Sequence, residues 1–263
     1  MILLLWLTLR VPDIQRYFIE IAFDGTRYHG WQTQPNAVTV QEVLDKALST
    51  VLRQPIETVG CGRTDTGVHA KQLFAHFSLM EDGIGKMEDV VSVLRGINAL
   101  LPLDIAAKRL IPVHADAHAR FDATLRSYAY HIHFEKDPFR QNFSWQLRDK
   151  PDVALMNEAA AIIMEYIDFS CFSKSNTQVK TNNCKIERAE WVWDGDGLIF
   201  HISADRFLRN MVRAIVGTLL MVGKKDIAPE DVRQIIESKN RSNAGTSVPA
   251  CGLYLTEIKY PYI

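Results

Sequence analysis

Between residues 16 and 25 the sequence RYFIEIAFDG sets Tyr17, Ile19, Ile21 and Phe23 on one side of a two-residue repeat, and Phe18, Glu20 and Ala22 on the other. That period predicts a strand, and Asp24-Gly25 supplies the turn that ends it. Over 39–54 the period changes: Val40, Val43, Leu44, Ala47, Leu48 and Val51 fall on one face of a helix. Thr39 and Glu42 have the spacing of a capping box, with Val38 and Val43 placed as a hydrophobic staple. A strand follows near 56–61, another over 72–79 (QLFAHFSL), then a helix near 88–100 stopped by Pro102, and a strand near 104–111.

The rhythm then recurs without sequence identity between the repeats. LRSYAYHIHF (125–134) predicts a strand and DVALMNEAAAIIMEYI (152–167) a helix. Strands near 186–194 and 197–204 flank a Gly-Asp-Gly turn at 195–197. A long helix over 206–223, a short one from Pro229 and a strand over 252–260 complete the series. Each series reads β-α-β-β-α-β, the order of a ferredoxin-like unit. The expected fold is therefore α+β: two ferredoxin-like halves with side-by-side antiparallel sheets and a central cleft. The expected divisions are 1–15 as an N-terminal extension, 16–115 as the first half and 116–263 as the second, with the join inside 112–124. Residues 172–184 are polar and predict a loop.

Composition narrows the class. Apolar residues make up 47% of the 263 and charged residues 23%, a globular balance with enough chain for a large core. MILLLWLTLRVP at the start is too short to span a bilayer, has no basic residue before its apolar run and no small-residue cleavage site after it, so it predicts an extension without function. Four cysteines, without a C-x-x-C pair, argue against a zinc ribbon or disulfide scaffold and fit a reducing, cytoplasmic setting. Net charge is −1, from 30 basic and 31 acidic residues, so any RNA surface must gather its positive charge on one face.

Candidate chemistry concentrates in GCGRTDTGVHA (60–70), where Arg63, Asp65 and His69 stand among glycines and small residues between two strands. No G-K-[ST] follows and the chain continues into a strand, which excludes a phosphate-binding P-loop. Spacing alone is equally compatible with a surface Arg63–Asp65 ion pair. Two further segments add weight. On the long helix Arg206, Arg209 and Arg213 fall within a stripe ~60° wide at ~100° per residue, opposite Leu208, Met211, Val212, Ile215 and Leu219. Such a stripe is either a solvated face or a source of guanidiniums for a carboxylate and phosphates. In ARFDATLRSYAY (119–130), Arg126, Tyr128 and Tyr130 share one strand face, either as ordinary sheet residues or as a surface for a base and its phosphate. His131 and His133 share a face without a clear third metal ligand, and His114 and His118 lack acidic partners at ligand spacing, so no metal site is expected. His69 reads as an orienting residue of the loop. Asp24 and Trp31 read as residues that lock the first turn.

Together FDGTRYHGWQTQ (23–34), GRTDTGVHA (62–70), ARFDATLRSYAY, FLRNMVRAIVGTLLMVG (207–223) and GLYL (252–255) closely resemble, in order, the motifs of the bacterial tRNA pseudouridine synthase A family. The resemblance covers about residues 16–260. Thr66 stands where the commonest form of the loop has alanine, and 173–185 match poorly. The resemblance implies isomerisation of uridine to pseudouridine in the tRNA anticodon stem-loop, at tRNA positions 38, 39 and 40, with no metal and no cofactor. It makes Asp65 the essential acid, Arg213 its ion-pair partner and Tyr128 the residue stacked on the target base. It makes Leu253 an apolar lining residue and Arg63 a residue that helps hold the extruded nucleotide. Arg126, Arg206 and Arg209 become candidates for the RNA backbone. The family works as a homodimer with tRNA as partner and no membrane association. Burial disfavours the ionised aspartate such chemistry needs, and a guanidinium restores it and fixes its rotamer. Whether the carboxylate attacks C1′ or C6, or removes the 2′ proton, stays open. A non-catalytic tRNA-binding or folding protein on the same scaffold and a synthase of other site specificity are the alternatives. A retaining glycosidase would need a second carboxylate that the loop lacks.

Overall fold

A computed structural model describes residues 14–80, 90–173 and 181–263. Most of the predicted N-terminal extension, the beginning of the helix expected from 88 and the middle of the loop at 172–184 lie outside the described residues. The strands are β1 (Ile14–Phe23), β2 (Val59–Gly60), β3 (His69–Met80), β4 (Ile105–Val113), β5 (Leu125–His133), β6 (Trp145–Gln146), β7 (Ile186–Asp194), β8 (Gly197–Ala204) and β9 (Leu253–Lys259). The helices are α1 (Val40–Leu52), α2 (Val90–Leu100), α3 (Val153–Ile163), α4 (Met211–Gly223) and α5 (Asp231–Glu237).

The strands form one nine-stranded sheet in the order β4-β1-β3-β9-β5-β8-β7, with β2 pairing on β3 and β6 on β5. The two sheets expected side by side are thus joined. The join is narrow and parallel, with His69 opposite Tyr254 and Ala70 opposite Leu255. Two apolar cores flank it. One gathers Phe18, Ile21, Leu44, Leu48 and Phe74, the other Phe172, Phe200, Ile215 and Leu219. The half-buried Tyr128 packs against both. Strand β9 serves both as well, since Leu253 belongs to the second core and Leu255 and Ile258 to the first.

Local chemistry explains where elements start and stop. The Thr39 hydroxyl accepts the Glu42 N–H at 3.4 Å, and Arg53, in the left-handed region at φ 54°, ends α1. Asp152 caps α3 by accepting the Leu155 N–H at 3.3 Å. Helix α3 stops at Ile163, short of the expected 167. The largest departure is α4, which begins at Met211 and not at 206. Asn210 adopts φ 66°, and the Asp205 carboxylate accepts the N–H groups of Lys185 and Arg206 at 2.7 Å each, holding residues 206–210 out of the helix. The predicted stripe of three helical arginines therefore does not exist: Arg213 is on the helix, and Arg206 and Arg209 precede it. Strand β3 begins three residues ahead of its predicted start, and the short β6 has no alternation to announce it.

Several histidines are held neutral. Burial, then repulsion from His118 and Arg16, pushes His76 down to about 4. Burial, then Lys71, does the same to His131, also to about 4. A folded-state value below the unfolded ~6.5 means that the unfolded chain takes up protons first on acidification. Asp45, pushed up to about 6 by burial, acts in the opposite sense, protonating in the fold before it does in the unfolded chain. The histidines outnumber it, so the urea midpoint is expected to fall steadily between pH 6.5 and 4. The variant His131→Phe should flatten that fall. A midpoint independent of pH over this range would contradict the reading.

Candidate active site

Residues 61–68 connect β2 to β3 and rest on backbone bonds. The Cys61 N–H donates to Phe74 O at 2.8 Å, the Trp31 N–H to Thr64 O at 3.4 Å and the Gly67 N–H to Tyr28 O at 3.3 Å. A tight turn closes on itself where the Val68 N–H reaches Asp65 O at 3.1 Å. Gly67 takes φ 76° there, a conformation that a β-carbon would strain. Gly62 is different: a β-carbon would meet nothing within 4 Å, so the space beside it is open.

His69, the first residue of β3, is 1% exposed. Its Nδ1 accepts the Gly25 N–H at 3.1 Å, and its Nε2 lies 2.9 Å from Asn142 O and 3.2 Å from Cys251 O. Two carbonyls at Nε2 place the proton on that nitrogen. Burial lowers the pKa, with partial opposition from Asp24, whose Oδ1 lies 3.1 Å from Nδ1. Three separate segments thus meet on one neutral ring. Trp31 is 2% exposed and its indole lies over Gly60, where a β-carbon would come within 2.4 Å of Nε1.

The loop forms one wall of a cavity of about 750 Å³, within the ~300–1,000 Å³ usual for a small-molecule site. Its lining also takes residues from the 29–34 turn, the lead-in to α4 and Arg241. Four arginines, Arg63, Arg209, Arg213 and Arg241, face one carboxylate, Asp65. Asp65 Oδ1 lies 3.6 Å from Arg209 Nε and Oδ2 lies 3.6 Å from Arg213 NH1. Arg213 is further fixed because its Nε donates to Val248 O at 2.7 Å. At 3.6 Å the two contacts balance charge without the geometry of short hydrogen bonds, leaving the carboxylate lone pairs free for a ligand. The Asp65 side chain is 26% exposed, so it is reachable from the cavity.

The sequence-predicted residues separate into groups. Asp65, Arg213, Arg209 and Arg63 meet around the cavity. Tyr128 lies behind it, half-buried, with its ring edge against Phe207 at 5.2 Å between centroids. Burial raises its phenol pKa, and Cys61 and Asp65 add to the rise in their charged forms, so it sits within electrostatic reach of the carboxylate. Leu253 is 5% exposed and packed in the second core. Tyr130, on the same strand face as Tyr128, is fully buried and donates its hydroxyl to Pro249 O at 2.8 Å, so no base can stack on it. Arg206 is half-buried and outside the lining. Arg126 is likewise outside the lining, and its guanidinium donates to backbone carbonyls.

Arg241 and Asn210 were not foreseen. Arg241 donates to Gly245 O and Ser247 Oγ, both at 3.0 Å, and Asn210 Nδ2 donates to the same hydroxyl. Arg241 stands in polar irregular sequence, and Asn210 falls inside the run read as a helix over 206–223, where it belongs to neither the arginine stripe nor the apolar face. Gln32 and Gln34, also in the lining, belong to the polar WQTQ run, which was a usable signal. Among the described residues no group of three or more His, Cys, Asp or Glu side chains comes together as a metal site.

The sequence profile described as tRNA pseudouridine synthase matches residues 20–122 and 166–261. A protein of Bacteroides fragilis named tRNA pseudouridine synthase A is 51% identical over 250 residues, covering 95% of this chain and 98% of that protein. One of the same name from Parabacteroides distasonis is 49% identical over 248 residues, covering 94% and 97%. Another, from Clostridium acetobutylicum, is 40% identical over 244 residues, covering 92% and 98%. On these matches, which span the site loop, the sheet and α4 together, this chain belongs to the tRNA pseudouridine synthase family.

Proposed function

We propose that this protein isomerises uridine to pseudouridine in tRNA, at positions 38, 39 and 40 of the anticodon stem-loop, with Asp65 as the reacting carboxylate. The observation that carries the reading is Asp65 held 3.6 Å from both Arg209 and Arg213 in a cavity with two further arginines. The reaction breaks the C1′–N1 bond and joins C1′ to C5. The C5 proton leaves and N1 gains one, so no electrons enter or depart. The protein must extrude the nucleotide, neutralise its phosphates and keep a carboxylate ionised beside the ribose. The arginine-lined cavity suits the first two demands, and the paired guanidiniums fix the position of the carboxylate that serves the third.

In this reading Arg63 and Arg209 take phosphate oxygens flanking the target, Tyr128 stacks on the target base and Leu253 lines its pocket. Recognition of several neighbouring uridines rests on shape and backbone charge. We also read the sheet order as two ferredoxin-like halves, β4-β1-β3-β2 and β9-β5-β8-β7, with the cavity at their junction. Residues 16–115, joined by Ile14 and Gln15 of β1, and 116–263 are then the two halves. A cytoplasmic homodimer completes the reading, because two such arginine-lined faces brought together form a longer cationic groove.

Asp65→Asn should lower pseudouridine formation about 10³-fold or more while tRNA affinity stays within a few-fold. Pseudouridine mapping and filter binding measure the two separately, and retained conversion would overturn the assignment. Arg213→Ala should cost about 10²-fold in kcat, as removal of a preorganised charge does. Arg63→Ala should weaken binding and reduce the slope of log affinity against log salt by about 1. Sedimentation should give a dimer at working concentration, and a monomer there would remove the shared groove.

A further inference from the structure

Arg126 stands near the start of β5, outside the cavity, and its guanidinium donates to four backbone carbonyls. NH1 reaches Asp205 O at 2.7 Å and Ala123 O at 3.3 Å. NH2 reaches Arg120 O at 2.7 Å and Cys61 O at 3.1 Å. Two of these acceptors head the segments that make the site. Cys61 opens the loop that carries Asp65, and Asp205 opens the lead-in that carries Arg209 and then α4 with Arg213.

Each segment is otherwise anchored mainly to its own surroundings. The loop bonds to Phe74, Tyr28 and Trp31 of the first core's strands and turns. The lead-in bonds to Lys185, through the Asp205 N–H at 3.2 Å and the Asp205 carboxylate at 2.7 Å. Arg126 donates to both. The task suits a guanidinium, whose planar fork of five N–H groups addresses separate carbonyls at once, and suits an ammonium poorly.

We infer that Arg126 is a positioning residue that cross-ties residues 61–68 to residues 205–210 and so sets the separation at which Asp65 meets Arg209 and Arg213. This rests on the function proposed above. It differs from a role in RNA contact, because a guanidinium committed to carbonyls has little left for phosphate. A displacement of ~1 Å at a reacting group costs ~10²-fold in rate. Loss of the tie therefore acts on turnover more than on binding.

The test uses the full chain, in-vitro-transcribed tRNA labelled with tritium at uridine C5, and tritium release as the readout. Release by the wild-type protein checks the underlying reading, and its absence would defeat that reading independently of Arg126. Given wild-type turnover, Arg126→Gln should lower kcat by about 10²-fold with KM and tRNA affinity changed less than about threefold. Arg126→Lys, which keeps the charge and part of the bonding, should recover a part of kcat, and it decides the matter if Arg126→Gln does not fold. A double-mutant cycle with Arg209→Ala should be non-additive, since both changes loosen the setting of one carboxylate. The inference is overturned by a raised KM with kcat unchanged, by wild-type kinetics in both variants, or by strict additivity with Arg209→Ala.

Discussion

One carboxylate between two guanidiniums organises this molecule. Asp65 comes from a loop built on the first core, and Arg209 and Arg213 come from the entrance to a helix built on the second. Charges so far apart in sequence meet at 3.6 Å only if both frameworks are rigid and rigidly joined. The surrounding structure serves that end. Arg213 is clamped by Val248, the turn at Asp65 is closed by Val68, and Arg126 and His69 gather separate backbone segments onto single side chains. Attraction alone would not hold the arrangement, since partly exposed ion pairs are worth little when their side chains are free to move.

The join between the cores is correspondingly economical. Two residue pairs link β3 to β9, yet one of those residues is His69, whose ring lies 4.6 Å from Tyr254 between centroids. Burial keeps that ring neutral, and neutrality lets Nδ1 accept while Nε2 donates. The histidine that the sequence reads as an orienting residue of the loop thus works as a structural knot. Tyr128 bridges the same boundary by packing on both cores, so the strand pairing at the join is backed by side-chain contact.

How far the sequence revealed this depends on where each residue sits. Strands β1, β5, β7 and β8 and helix α1 were legible because alternation and helical period are strong over their lengths. Asp65 was singled out by the resemblance, since spacing alone left it equally open to an ordinary surface ion pair with Arg63. Arg213 was found partly for a wrong reason: the stripe that singled it out included Arg206 and Arg209, which Asn210 keeps off the helix. Arg209 reaches Asp65 all the same, from a turn ahead of the helix that helical geometry could not foresee. The carbonyls around Arg126 were hidden, because a strand pattern assigns a side chain to a face and says nothing of backbone brought near by other segments. Arg241 carried no local signal, since its place depends on a polar loop folded against α4. The parallel join of β3 and β9 was equally hidden, because pairing between distant strands leaves no trace in either one.

That join also bears on how the protein is made. Strand β9 lies between β3 and β5, so the centre of the sheet is filled by a strand that leaves the ribosome after both of its neighbours. Until then β3 and β5 each present an open edge, and the loop bearing Asp65 lacks the neighbour that His69 stacks upon. The nascent chain must keep two half-finished edges apart from other polypeptides, and long-range pairing of this kind is slow. The cavity around Asp65 therefore takes shape only after segments from both ends of the sheet have met, and the loop emerging alone has no opposite wall.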